Sequence, residues 1–190
     1  MNMQAKREDY GAAPKALHWL TVGFVAIAWA LGIFGDDLPK GAARDTGLLF
    51  HVSIGLAILA IAVVRIPLHI ASPPPPAPPT RFGRWSIAWI DPISRITHLA
   101  LYALLVAVPV VGIAVQFARG HALPLFGLAE IASPWPADKA FARNLKEIHE
   151  VSAHLLVILA LFHMTAALIH HWVFGDSVLT RMLPHFRKPM

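Results

Sequence analysis

Four long apolar runs limit what this chain can fold into. They cover residues 16–34, 48–70, 96–117 and 149–174, and each has about the length of 20 residues that an α-helix needs to cross a bilayer. Charged residues make up only 14% of the 190-residue chain, whereas hydrophobic residues make up 56%. The sequence therefore predicts a multi-pass membrane protein embedded in lipid.

The basic residues predict the orientation of these spans. With four spans, both termini and the loop of residues 70–95 share one side, and this side holds ten of the 16 Lys and Arg residues. The other side holds six basic and seven acidic residues. The positive-inside rule then predicts cytoplasmic termini. Because the net charge of +5 follows from topology, we expect no nucleic-acid binding.

The first apolar run is predicted to be a membrane span, and two segments are predicted to connect the spans. The first run is longer than the apolar part of a typical signal peptide and precedes no small-residue cleavage site, so we expect an uncleaved span. Residues 72–79 read SPPPPAPP, which predicts an extended polyproline linker. The outer segment, residues 118–147, ends in a helix-prone stretch. No internal repeat is recognisable, so we predict one domain over residues 1–190, an all-α bundle of four membrane helices.

The sequence contains no cysteine. This excludes disulfides, thiolate-bound iron–sulfur clusters and the C-x-x-C-H attachment of a covalent haem. A metal would have to be held by histidine, methionine, carboxylate or tyrosine side chains.

Histidines stand within the apolar runs, where an ionisable side chain is costly and normally has a function. His149 and His163 are fourteen residues apart, which puts them on nearly one helix face and about 21 Å apart along the axis. His18 opens the first run at the inner level, and His51 opens the second at the outer level. Depth therefore pairs His18 with His163 and His51 with His149.

Two imidazole pairs at different depths fit two b-type haems, each held by axial histidines from facing helices. Zinc or copper is an alternative, although such ligands usually cluster at one depth. Any single histidine could instead form a hydrogen bond between helices. Arg65 lies fourteen residues after His51, so it is predicted to meet haem propionates at the inner level or, alternatively, to snorkel at the end of its span.

Short motifs in all four runs resemble those of a known family. They are Lys15-x-x-His18-Trp19, His51-x-x-x-Gly55, Val63-Val64-Arg65, His98-Leu99-x-x-Tyr102, Pro109-x-x-Gly112, Leu145-Lys146-x-x-His149-Glu150, His163 and His170-His171. Over nearly the whole chain they resemble the bacterial cytochrome b561 family, and most closely its small superoxide:ubiquinone oxidoreductases of the inner membrane. The resemblance implies the axial ligands His18, His51, His149 and His163, the four residues that depth also pairs.

The resemblance implies an oxidoreductase that oxidises superoxide at the periplasmic side and reduces ubiquinone in the membrane. Superoxide gives one electron at a time, whereas ubiquinone takes two electrons and two protons, so two haems could collect and relay electrons. Arg119, Arg143 and Lys146 on the outer segment are predicted to attract the anion. Their alternative interpretation is that of ordinary solvated loop charges.

A quinone site is predicted at the inner level. His98 and Tyr102 are four residues apart and share one helix face, and His170 lies at the same level. All three can exchange hydrogen bonds with a quinone carbonyl, and histidine can pass protons from the cytoplasm. The alternative is that they are interfacial side chains of an aromatic belt.

Two other functions stay open at the level of sequence. The family includes cytochrome b subunits that serve a periplasmic redox partner, so the electron donor could be a protein. A metal or proton transporter lined by histidines is the second alternative, although the chain is short for a transporter and lacks the paired repeats that transporters commonly show.

Overall fold

The computed structural model describes residues 10–71 and 84–183. The predicted polyproline linker lies outside the described residues. Four long helices carry the structure: α1 (Ala12–Phe34), α2 (Ala42–Ala71), α3 (Arg84–Ala118) and α4 (Lys139–Ile169). All four contain stretches long and apolar enough to cross a membrane. The predicted class, an all-α bundle of four membrane helices, is therefore confirmed.

Each helix begins before the apolar run that predicted it. In α4 the reason is a capping residue outside the run: the Asp138 carboxylate accepts hydrogen bonds from the main-chain nitrogens of Ala140 (2.9 Å) and Phe141 (3.0 Å). These bonds satisfy donors that the first turn of a helix leaves unpaired. Hydropathy marks the part of a helix that lies in lipid, whereas capping marks where the helix begins.

The outer segment between α3 and α4 contains a small hairpin that the sequence did not predict. Strands β1 (Leu123–Leu125) and β2 (Ala129–Ile131) pair antiparallel, with Pro124 opposite Glu130. Gly127 turns the chain with φ 72°, a conformation that glycine adopts without strain. Three-residue strands are too short to show an alternating pattern, so they could not be predicted from periodicity.

A small apolar core lies at mid-depth in the bundle. It consists of Ile58 and Ala62 from α2, Leu105 and Val108 from α3, and Leu156 from α4. Leu156 lies midway between His149 and His163 on α4, while the core residues of α2 follow His51 and those of α3 follow His98. The core therefore forms an apolar layer that separates the two levels.

The helices pack unevenly around this core. The main contacts join α3 with α4, α1 with α2, and α2 with α3, whereas α1 and α4 touch sparsely. Large apolar side chains such as Leu99 and Val151 are exposed on the outside of the bundle. In a spanning helix such side chains face lipid, so their exposure fits a multi-pass membrane protein.

The last described residues form a short helix at the inner level that returns to α1. After α4 a π-helical turn, His170–Phe174, leads into α5 (Val178–Met182). The indole nitrogen of Trp19 donates a hydrogen bond to the Met182 carbonyl at 2.8 Å. This bond fixes the last described helix against the inner end of α1.

Candidate functional site

His51 of α2 and His149 of α4 face each other at the outer level. Their ring centroids are 6.0 Å apart and the ring planes cross at 73°. Nδ1 of His51 lies 2.9 Å from the Ala28 carbonyl, and Nδ1 of His149 lies 3.0 Å from the Val108 carbonyl. Because a carbonyl only accepts, Nδ1 donates in both rings and Nε2 keeps its lone pair. Both rings are thus oriented as metal-binding histidines are, with Nε2 available.

Glycines on neighbouring helices make room for both rings. A Cβ atom on Gly112 of α3 would lie 3.0 Å from Cε1 of His149, and one on Gly32 of α1 would lie 3.3 Å from Cε1 of His51. Each imidazole therefore packs directly against a helix backbone. Sequence analysis named Gly112 only as part of a motif and did not name Gly32, because these contacts arise between helices.

The outer residues fit a haem held by two histidines. Two imidazoles that bind one metal ion from opposite sides, through nitrogen bonds of about 2 Å, hold their ring centroids about 6 Å apart. The pair of His51 and His149 has that separation. Trp29, next to the carbonyl of Ala28 that orients His51, has a buried indole nitrogen without a hydrogen-bond partner in the described protein. A buried donor of this kind suits a bound group that accepts hydrogen bonds.

His18, His98 and His163 lie close together at the inner level. The rings of His98 and His163 have centroids 5.1 Å apart and planes at 74°. His18 lies close enough to both, and to Arg65, for electrostatic interaction. A separation of 5.1 Å is shorter than the roughly 6 Å that two axial ligands of one metal need. The ring of His98 therefore contacts His163 edge to face, and His18 stays the predicted ligand partner of His163.

Within residues 10–71 and 84–183, no group of three or more His, Asp or Glu side chains is placed to hold a metal ion. A zinc or copper site built from protein ligands normally needs three or four such groups. A haem needs only two, because the porphyrin supplies the other four nitrogen ligands. The arrangement of the described histidines therefore favours haem over a zinc or copper site.

Arg65 lies between helices at the inner level. Its Nη1 donates to the hydroxyl of Thr21 at 3.1 Å, and its guanidinium carbon is 5.5 Å from the ring centroid of Tyr102. Thr21 is buried and donates in turn to the Leu17 carbonyl at 2.6 Å. The guanidinium thus points into the bundle, where it can pair with an anionic group such as a propionate.

Tyr10, which precedes α1, is a further residue at the inner end that the sequence did not single out. It lies near Tyr102 and Arg181. Burial raises the pKa of the Tyr10 phenol above its usual value, and Arg181 opposes that rise. The phenol is therefore protonated at neutral pH and can donate a hydrogen bond.

His170 is held by an acidic residue that sequence analysis missed. Its Nδ1 lies 2.6 Å from Oδ2 of Asp176, whose side chain is only 1% exposed. The other carboxylate oxygen of Asp176 accepts from the main-chain nitrogen of Val178, the first residue of α5, at 3.0 Å. Gly175, with φ 64°, makes the turn that brings Asp176 back to His170. The glycine and aspartate directly after the fourth apolar run are the sequence feature that could have indicated this contact.

The three cations predicted to attract an anion lie on the outer side. Arg119 and Arg143 are exposed. The ammonium of Lys146 lies 3.1 Å from a carboxylate oxygen of Glu150, one helical turn further along α4, and both side chains are about half exposed. That ion pair partly neutralises Lys146. Arg143 is therefore the stronger attracting charge near the start of α4.

A family model described as prokaryotic cytochrome b561 matches residues 9–185. The chain is similar to a probable superoxide oxidase CybB from Yersinia pestis, with 30% identity over 95% of this chain and 98% of that protein. It is similar to two proteins of Escherichia coli (strain K12), cytochrome b561 homolog 1 at 31% identity and cytochrome b561 homolog 2 at 32%. These matches cover 97% and 93% of this chain, and 98% and 92% of the two relatives.

Proposed function

The chain belongs to the prokaryotic cytochrome b561 family, and from this premise we propose that it oxidises superoxide at the periplasmic face of the bacterial inner membrane and reduces ubiquinone. Membership makes it a multi-pass membrane protein of electron transfer and implies haem b. The relative named as a probable superoxide oxidase supports the choice of donor. The excess of basic residues on the side of the termini supports cytoplasmic termini.

One observation carries the proposal: two levels of histidines, separated by an apolar layer. At the outer level, His51 and His149 face each other with Nε2 of both rings available, and they would hold one haem b. At the inner level, His18 and His163 would hold a second one. Haem b at each level would supply a one-electron carrier.

The overall reaction balances electrons between the two sides. Two superoxide anions each lose one electron on the outer side and become two molecules of O₂. One ubiquinone gains those two electrons and two protons at the inner side and becomes ubiquinol. Residues of this chain have to attract the anion, orient the quinone and deliver the protons.

Outer cations would supply the attraction. Arg119 and Arg143 are exposed, and Lys146 adds a charge that its pairing with Glu150 reduces. Seven acidic residues outnumber the basic ones on this side, so the attraction has to come from the local field of these cations rather than from net charge.

Inner side chains would bind the quinone and pass its protons. Tyr102 can donate a hydrogen bond to a quinone carbonyl. Nδ1 of His98 already bonds to the Ser94 carbonyl and Nδ1 of His170 to Asp176, so these two rings would donate to a quinone through Nε2 once it has taken up a proton. Asp176 accepts a hydrogen bond from Nδ1–H of His170, so Nε2 of that ring can take a proton from the cytoplasm and hand it on. Arg65 would pair with haem propionates at the same level.

A stopped-flow experiment tests this function. Oxidised, haem-loaded protein is mixed with superoxide, haem reduction is followed by absorbance, and a ubiquinone analogue is then added. We expect fast reduction that slows as salt shortens the Debye length from about 30 Å at 0.01 M to about 8 Å at 0.15 M. Slow, salt-insensitive reduction would reject superoxide as the donor and favour a periplasmic protein donor instead.

A further inference from the structure

The tip of the hairpin between β1 and β2 is apolar, although turns at the surface of a protein normally carry polar residues. Residues 122–129 read ALPLFGLA and contain no polar or charged side chain. At the tip, Leu128 is 90% exposed and Phe126 is 53% exposed. Adjoining apolar side chains that the protein leaves uncovered indicate a surface that contacts something other than water.

Phe126 also has a backbone conformation that a bulky residue disfavours. Its φ is 55°, and Gly127 follows with φ 72°. The main-chain nitrogen of Leu128 donates to the Leu125 carbonyl at 3.0 Å, which closes the turn. A turn with two consecutive positive φ values is normally built from asparagine, aspartate and glycine. The turn itself therefore does not favour phenylalanine, and a contact of the exposed ring has to offset the strain.

The tip lies against a membrane-spanning helix. A Cβ atom on Gly127 would lie 3.5 Å from Cδ2 of Leu49 on α2. The neighbours of Leu49 on that helix, Leu48 and Phe50, are exposed on the outside of the bundle. The apolar tip of the hairpin is therefore continuous with the lipid-facing surface of α2.

The charges on α2 give the depth of this contact. No Lys, Arg, Asp or Glu occurs between Asp45 and Arg65, and the residues 46–64 span about 28 Å, close to the ~30 Å of a hydrocarbon core. Leu49 lies four residues, or about 6 Å, inside Asp45. The hairpin tip therefore reaches the outer border of the hydrocarbon core.

The rest of the hairpin is compatible with this position. Its two strands pair with each other, and the bond from Leu128 to Leu125 adds to that pairing, so these backbone groups do not depend on water. The first charged residue after the tip is Glu130, three residues beyond Gly127 and up to about 10 Å further along the chain. The charge can therefore stay among headgroups while the tip contacts acyl chains.

We propose that the hairpin inserts Phe126 and Leu128 into the outer leaflet of the bilayer, at the border between headgroups and acyl chains. Apolar groups that lie in this interface are buried about 5–10 Å, which agrees with the depth of Leu49. The inserted tip fixes the segment between α3 and α4 to the membrane surface. This role is separate from the function proposed above and does not depend on the electron donor.

A single labelled cysteine tests the position of the tip, because the sequence contains no other cysteine. Leu128→Cys carries an environment-sensitive fluorophore in full-length, haem-loaded protein in nanodiscs. Its quenching by doxyl-labelled phospholipid is compared with its quenching by iodide in the water. Lys139→Cys, at an exposed position where α4 begins, is the matched control. Each site is measured with and without quencher, so quenching by haem cancels.

We expect the doxyl lipid to quench the label at Leu128 about threefold more strongly than the label at Lys139, and iodide to act in the reverse order. Equal quenching at the two positions would overturn the proposal. Stronger quenching by iodide at Leu128 would also overturn it, because the tip would then face water, as a docking surface for a protein partner does.

Replacing Phe126 separates contact with lipid from the shape of the turn. Asn followed by Gly is a preferred sequence for this turn, so Phe126→Asn should keep the hairpin paired. In the labelled Leu128→Cys protein it should lower quenching by the doxyl lipid about threefold, whereas Phe126→Leu, which keeps an apolar side chain, should retain most of it. Unchanged lipid quenching in Phe126→Asn would overturn the proposal. Haem absorbance shows that each variant is folded.

Discussion

Replacing Gly112 by alanine tests how the outer histidines are positioned. The new Cβ atom would lie 3.0 Å from Cε1 and 3.3 Å from Nδ1 of His149, whereas ordinary van der Waals contacts are 3.4–4 Å. The ring cannot move away without loss, because its Nδ1 donates to the Val108 carbonyl at 3.0 Å. Gly112→Ala should therefore displace a proposed haem ligand without removing it.

The expected loss of haem affinity follows from the overlap between the new methyl group and the ring of His149. Adding a methyl group to a packed site costs about 1–3 kcal/mol. The gain in helix propensity from glycine to alanine is present with and without haem, so it cancels in the affinity for haem. A loss of about 1–3 kcal/mol corresponds to a fall in haem affinity of about 5- to 150-fold at the outer level. The inner level should keep its affinity.

Haem titration of the purified apoprotein, followed by absorbance, measures this change. Gly23→Ala is the matched control, because Gly23 on α1 is exposed and nothing lies within 4 Å of a Cβ atom there. The control should bind haem as the wild type does and gain roughly 0.5–1 kcal/mol of stability. If Gly112→Ala and Gly23→Ala bind haem equally well, His149 does not hold a haem in the orientation seen here.

Three further predictions concern the ligands, the quinone end and the donor. His149→Ala should lose the outer haem and keep the inner one, and His163→Ala should do the reverse; full haem content in both variants by pigment analysis would show that the pairing is wrong. His170→Ala should keep both haems but slow their reoxidation by a ubiquinone analogue in stopped flow, and an unchanged rate would move the quinone site elsewhere. Changing Arg143 and Lys146 together to Gln should slow haem reduction by superoxide about tenfold or more at low salt, while reduction by dithionite stays the same; an unaffected superoxide rate would remove these cations from the donor site.

The sequence predicted the helices better than their ends. Four apolar runs were enough to predict four spans, because lipid demands a helix wherever a long apolar stretch crosses it. The start of α4 at Lys139 depends instead on the Asp138 cap, a local bond outside the apolar run. The hairpin of β1 and β2 depends on pairing between two three-residue strands, which leaves no periodicity to read.

For the candidate site, the depth of each histidine could be predicted from its spacing along one helix, whereas contacts between helices could not be predicted. The fourteen residues from His149 to His163 define two depths through helix geometry alone. By contrast, the contact of His98 with His163 and the packing of Gly32 on His51 depend on how helices rotate against each other. Asp176 was missed because its partner, His170, is reached only through the turn at Gly175.

The apolar layer between the two histidine levels restricts the movement of protons from one level to the other. Ile58, Leu105 and Leu156 fill the middle of the interior with side chains that neither bind nor donate protons. Protons therefore have no polar path between the levels through these residues, whereas electrons need only two carriers near enough for transfer. If electrons enter at the outer level, the protons that accompany them onto a quinone must come from the inner side, where the pair of His170 and Asp176 lies. A polar substitution in the layer, such as Leu156→Asn, would test this separation: it should let protons leak between the two levels in proteoliposomes while leaving all four proposed haem ligands in place.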